Sequence, residues 1–502
     1  VKFTPARIAL LALVAVAAIL RLIMPAPHPD AFQPDEVVNG YDAFCLAHTG
    51  ADHHGNPWPL LFESFGDWVS PLLTYVTAPF VAIGGLSAFT IRLPGVIANV
   101  LAVAAIAALT FEFTASRIAA LVAAAVLATS PWDIALAQWS AAPTLLPLLT
   151  TLAAIFALRT IRTRAVRDAL AFGTIAALLV YDYPTQKLFA PLLVVIACAC
   201  MRGWRERAIA FATFAALAAP MFAVTLSDPK YNARFAYVGL NPHDPDFVRN
   251  VVQRYVEYLN PAFLFGHGDM SFAPFLEPLF AAGIVLAAIA LVTGRGRPAL
   301  GRRAAAFVLG IAFLAPLPAS LTVDHLHPNR ILHLLPLAVL LTATGTVALM
   351  NLIESALVRR IAALAMAALL IAATVQFGHN YYGGRHVQTG FAEEQVGLGD
   401  AIVAVVQRFP QTPIVVDTSA FNQPYIYYLF AARYDCTKLP LAQMRASQAA
   451  AITWAYVSAI DDIRFRPVSA DELATTVALE PMDEGSAQFD VRQGAGTVYL
   501  LR

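Results

Sequence analysis

Residues 93–136 read LPGVIANVLAVAAIAALTFEFTASRIAALVAAAVLATSPWDIAL. Two apolar runs, 93–111 and 118–136, are joined by a short link that carries Glu112 and Arg117. Each run comes close to the roughly 20 apolar residues a helix needs to cross the hydrocarbon core of a bilayer. The same pattern recurs on both sides. Further apolar stretches lie at 7–24, 143–158, 168–181, 188–201, 208–226, 275–293, 304–321, 331–353 and 361–379. Eleven stretches predict an α-helical polytopic membrane protein, and two further spans would preserve its alternation. The stretch 71–84 is apolar but short and reads as a helix lying in the interface. The first stretch has no small-residue cleavage site before His28, so it reads as a span rather than a leader.

Composition agrees. Of 502 residues 59% are hydrophobic and 13% charged, and formal net charge is zero, whereas soluble domains carry about 25% charged residues. This excludes an ordinary soluble enzyme, a disordered chain and a strongly basic nucleic-acid binder. No nucleic-acid partner is expected. Four cysteines are too few for a disulfide framework. Cys198 and Cys200 fall in an apolar stretch and read as packing residues. Cys45 and Cys436 both fall in polar segments, but nothing in the sequence brings them together, so no bridge is expected.

Cytoplasmic loops of membrane proteins are enriched in Lys and Arg. With the N-terminus inside, the short inner segments hold sixteen cations and only four acids, Glu112, Asp168, Glu206 and Glu354. The outer segment 25–91 has no Lys or Arg. This places three polar regions outside: 25–92, 227–274 and the tail 381–502. All 11 histidines fall in outer segments or near outer span ends, which suggests chemistry on that face, although longer outer loops alone would also gather them. Residues 1–380 are read as a transmembrane domain with two outer loops. Residues 381–502 are read as a small α/β domain outside, with a helix at 393–408, strands at 413–417 and 497–501, and strand or helix at 425–430.

In the first outer segment, Asp35 and Glu36 open a helical-looking run containing Val37, Val38, Tyr41 and Phe44. A carboxylate there can take a proton from an attacking hydroxyl. Pro34-Asp35-Glu36 also suits a plain helix N-terminus, and spacing alone favours that simpler reading.

The PDE element, with GYDA at 40–43, TGADHHG at 49–55, FGD at 65–67, Pro71-Leu72 and IRLP at 91–94, resembles the opening of the glycosyltransferase family 39 proteins. This PMT-like, GT-C group includes protein O-mannosyltransferases and lipid A aminoarabinose transferases. YDYPTQK at 181–187, YLNPAFLFGHGD at 258–269, APLPASLT at 315–322, HPNR at 327–330 and PYIYYLF at 424–430 extend the likeness over nearly the whole chain. The resemblance implies a GT-C fold and inverting transfer of a sugar from a polyprenyl-phosphate donor to an envelope acceptor (glycan, lipid or protein). The reaction would take place on the outer face of a bacterial cytoplasmic membrane. It implies Asp35 as catalytic base, with Glu36 beside it. Arg330, Lys187, Arg92 and Arg234 become candidates for holding the donor phosphate, although a cation at a span end also simply snorkels. Tyr41, Asp67, Asp133, Tyr181, Tyr183 and Asp269 become substrate-binding candidates.

Two departures bear on donor binding. Gln138 and Ala142 stand where many members have arginine and glutamate, and Val69-Ser70 stands where many have a lysine. Some relatives bind a divalent metal. No metal or other cofactor is required by the residues here. His267, with Asp67, Asp269, His53 and His54, would be its ligands if one binds, although GHGD also makes a good turn. The competing readings are a transporter or flippase of a lipid-linked substrate, which would need ionisable residues at mid-span, and a non-catalytic receptor using the tail.

Overall fold

The computed structural model describes residues 4–23, 32–232, 235, 238–266, 271–294, 301–323, 326–382, 395–448, 457–484 and 487–502. Each of the eleven apolar stretches carries helix. Among the described residues, eight helices are long and apolar enough to cross a membrane: Pro5–Leu22, Ala88–Thr114, Leu146–Thr163, Trp204–Ser227, Pro274–Thr293, Arg302–Ser320, Pro328–Asn351 and Ala356–Tyr381. A ninth is the pair Arg117–Ala128 and Pro131–Ala137, bent by 57° at its break. Val166–Val180 and Gln186–Cys200 are shorter apolar helices of 15 residues each. The chain is a multi-pass membrane protein. It forms two compact units.

The first unit comprises Val1–Ile23, Gly95–Pro229 and Phe235–His379. At its centre, Leu335–Val347 of the helix Leu335–Asn351 is buried on every side. A helix hidden all round has no polar face, so its threonines bond back to their own backbone. Thr344 and Thr346 donate to the carbonyls of Leu340 and Thr342 at 2.8 Å. It packs on Glu277–Thr293 through two glycines. A Cβ on Gly345 would stand 2.0 Å from the Leu279 carbonyl oxygen, and one on Gly283 1.9 Å from that of Leu341. Small residues let apolar helices approach at backbone distance.

The 57° break is held by Arg21, a fully buried residue at the end of the first helix. Its guanidinium donates to the carbonyls of Ala128 at 3.1 Å and Leu127 at 2.9 Å, and from Nε to Asp133 at 3.0 Å. A bent helix frees carbonyls that need donors, and the five-donor guanidinium meets several at once.

The second unit comprises Met24–Pro94, Lys230–Arg234 and Asn380–Arg502. Its sheet is formed by strands β3 (Ile414–Asp417), β4 (Ala459–Ile460), β5 (Ile463–Arg466), β6 (Val477–Ala478), β7 (Met482–Glu484), β8 (Ala487–Gly494) and β9 (Thr497–Leu501). The order is β4-β5-β3-β9-β8-β6, with β7 on β8. β3 runs parallel to β5 and β9, and the other pairs are antiparallel. The segment 425–430, ambiguous in sequence, is part of the helix Pro424–Ala431, and Leu398–Arg408 supplies another helix. The expected helix at 71–84 is Leu72–Gly84. A two-stranded hairpin, β1 (Phe62–Ser64) with β2 (Asp67–Val69), turns through Phe65 and Gly66, both at positive φ, as the tightest hairpins require.

One core joins the helix Pro34–Thr49 to the tail. Val37, Val38, Tyr41 and Leu46 share it with Ile402, Ile426 and Leu429. The expectation of unbridged outer cysteines is corrected here: Cys45 and Cys436 form a disulfide with Cα atoms 5.5 Å apart. Their 391-residue separation hid the pairing in the sequence.

Candidate active site

In the second unit, Pro34 starts the helix Pro34–Thr49 and puts Asp35 and Glu36 in its first turn, where acids complement the helix dipole. Consecutive helical residues point about 100° apart, and the two acids differ accordingly. Asp35 is exposed and Glu36 buried. Arg92 donates to Glu36 from Nε at 2.9 Å, and its guanidinium lies 5.0 Å from the Phe32 ring centroid. Arg92, expected at a donor phosphate, is thus committed to the carboxylate beside Asp35. Tyr41 is fully buried and donates to the Tyr434 carbonyl at 2.9 Å. Asp67 is half-buried at the start of β2 and accepts from the Trp68 amide at 2.8 Å.

Two turns along the same helix lies a polar nest around Asp42 that contains His53 and His54, named from the sequence only as possible metal ligands. His53 is fully buried, and its Nδ1 stands 2.6 Å from Asp42 Oδ1, which also accepts the His53 amide at 2.9 Å. Burial works against the imidazolium, but Asp42, with help from Asp52 and Glu63, raises the His53 pKa above its ordinary value. Burial, His53 and Arg445 drive His54 the opposite way, well below it. Burial raises Asp52 and Glu63, with Asp42 adding to Asp52. The motif TGADHHG signalled these residues, but its long-range partners were not legible.

In the first unit, Asp133 is fully buried on Arg21. Tyr181 donates to the Leu217 carbonyl at 2.7 Å, and Tyr183 is half-buried. Between them Asp182 is 1% exposed, and neither of its oxygens has a hydrogen-bond partner among the described residues. Burial pushes its carboxyl up to about 8. Gln186 opens the next helix, and its Nε2 lies 3.0 Å from His333 Nδ1, while His333 Nε2 lies 2.7 Å from the Ala315 carbonyl oxygen. A carbonyl only accepts, so Nε2 carries the proton and Nδ1 accepts from the Gln186 amide. Lys187 follows, half-buried, and Arg330 is buried with a bond to Thr322. Arg234, His267 and Asp269 lie outside the described residues. Among the described residues no group of three or more His, Cys, Asp or Glu could hold a metal ion.

No protein-family profile matches the chain, and no curated protein matches it in sequence. Solved structures do match in fold. ArnT from Cupriavidus metallidurans, bound to undecaprenyl phosphate, aligns with TM-score 0.53 and 14% identity over 85% of this chain and 84% of its own. The archaeal oligosaccharyltransferase AglB from Archaeoglobus fulgidus, in complex with an inhibitory peptide and a dolichol-phosphate, aligns with TM-score 0.54 and 14% identity over 85% of this chain and 63% of its own. An Archaeoglobus fulgidus oligosaccharyltransferase in complex with Zn and sulfate aligns at TM-score 0.52 and 14% identity over 84% of this chain and 61% of its own. The chain has the fold of the GT-C membrane glycosyltransferases.

Proposed function

We propose that the protein transfers a sugar, with inversion, from a polyprenyl-phosphate donor to an envelope acceptor (glycan, lipid or protein). The observation that carries this is the division between Asp35 and Glu36 in a chain of GT-C fold: Glu36 is buried on Arg92 and Asp35 is exposed. Asp35 takes the proton of the acceptor hydroxyl. The acceptor oxygen bonds to the anomeric carbon as the bond from that carbon to the phosphate oxygen breaks. The departing phosphate takes up the electron pair and needs positive charge rather than a proton. We assign that role to Lys187 and Arg330, the cations of the first unit that the sequence resemblance offers for it.

The lipid phosphates in the ArnT and AglB structures support a lipid-linked donor. The reaction is read on the outer face of a bacterial inner membrane, with the N-terminus cytoplasmic and the tail outside. The side-by-side count of Lys and Arg supports this, as does the Cys45–Cys436 bond, since disulfides persist outside the reducing cytosol. The test incubates purified protein in lipid with polyprenyl-phosphate sugars and follows donor loss. Wild-type protein consumes a donor and Asp35→Asn does not. Equal consumption by both would remove Asp35 from the mechanism.

A further inference from the structure

The turn between Val166–Val180 and Gln186–Cys200, and the helix start that follows it, carry buried groups with unmet oxygens. Asp182 is 1% exposed with both carboxyl oxygens unpartnered among the described residues. Four residues on, Gln186 is fully buried, and its amide nitrogen is fixed on His333, which leaves Oε1 without a partner. Asn329, four residues before His333, is 3% exposed and also has an unpartnered oxygen, Oδ1. Every unmet atom in this set is an oxygen. Burying such atoms without partners is unfavourable, and buried polar groups in folded proteins are almost always satisfied.

The complement of this set is a ligand rich in hydroxyl donors. We propose that Asp182 and Gln186 bind hydroxyl groups of the transferred sugar, forming a carbohydrate subsite on the first unit; this rests on the glycosyl-transfer reading above. The orientation of Gln186 is fixed by chemistry. His333 gives its only N–H to Ala315, so Gln186 must present nitrogen to His333 and oxygen to the ligand. Burial keeps Asp182 protonated at neutral pH, and a neutral carboxyl both donates to and accepts from a hydroxyl. That suits a sugar hydroxyl better than an ammonium group. Lys187, read as a phosphate partner, follows Gln186 directly, so one turn serves both parts of a sugar phosphate.

The test compares affinities of the full chain in nanodiscs for polyprenyl-phosphate glucose, mannose and galactose with bare polyprenyl phosphate. Wild type prefers at least one sugar-bearing lipid over the bare one. Asp182→Ala weakens binding of that lipid about tenfold, the size of one lost hydrogen bond to a strong partner, and leaves the bare lipid unchanged. Asp182→Asn, which keeps a donor and an acceptor, retains most of the preference. Gln186→Ala repeats the test should Asp182→Ala not fold. Equal weakening of sugar-bearing and bare lipids, unchanged affinities, or a wild type without sugar preference overturns the subsite alone, provided Asp35-dependent donor loss is seen. A wild type that binds none of these lipids overturns the glycosyl-transfer reading and the subsite with it.

Discussion

Arg92 grips both oxygens of Glu36, with Nε to Oε1 at 2.9 Å and Nη2 to Oε2 at 3.2 Å. Adjacent acids therefore carry unlike burdens, and their variants should separate. Glu36→Ala removes the buried carboxylate that Arg92 grips and should cost about 3–5 kcal/mol, read as a large fall in melting temperature. Asp35→Asn should leave melting nearly unchanged while donor turnover falls by at least about a hundredfold. Similar melting losses in both variants would show that the first turn is purely structural.

The Cys45–Cys436 bond predicts redox-dependent stability. Disulfides closing long loops contribute about 2–5 kcal/mol in small domains. Cys45→Ser or reduction should lower the melting temperature of the second unit. A peptide map under non-reducing conditions should recover the linked pair, and finding both thiols free would contradict the fold of that unit.

The Asp42–His53 pair predicts a pH signature. The pKa of His53 lies above the unfolded value, so the pair's contribution is complete below about pH 6.5 and fades as pH rises through the folded value. His53→Gln should melt well below wild type at pH 5.5, and the gap should narrow in alkaline buffer. His54, Asp52 and Glu63 share the nest and are common to both proteins, so the difference between them isolates His53. A gap that widens with pH would refute the pairing.

Arg21 and Asp133 form a fully buried pair across 112 residues. Arg21→Met strands a carboxylate beside two freed carbonyls and should cost about 3–5 kcal/mol. Arg21→Met with Asp133→Leu should recover part of that loss, as buried pairs replaced together often do. No recovery would assign the loss to the carbonyls of Leu127 and Ala128 rather than to Asp133.

Local features were legible in the sequence. Each apolar run became a helix because length and hydrophobicity are local properties. PIVVD and TVYLL became β3 and β9 for the same reason. Whatever depends on distant partners was not legible. Nothing near Tyr41 announces that its hydroxyl donates to Tyr434, nor that Tyr427 donates to the Phe32 carbonyl at 2.9 Å. At the candidate site, PDE was visible as a motif, but the division between its two acids depends on Arg92, 56 residues away. Asp182 sat inside a quoted motif, yet only burial distinguishes it from a surface acid.

The cysteine pair also sets an order of events during synthesis. Cys45 leaves the ribosome 391 residues ahead of Cys436. At about 5–20 residues per second, its thiol waits roughly 20–80 seconds for its partner. Over that interval the helix bearing Asp35 lacks its crosslink, and a chain truncated before residue 436 never acquires it. Covalent closure of the helix bearing Asp35 thus reports that translation has passed β3 and the helix Pro424–Ala431, with the strands β4 to β9 still to come.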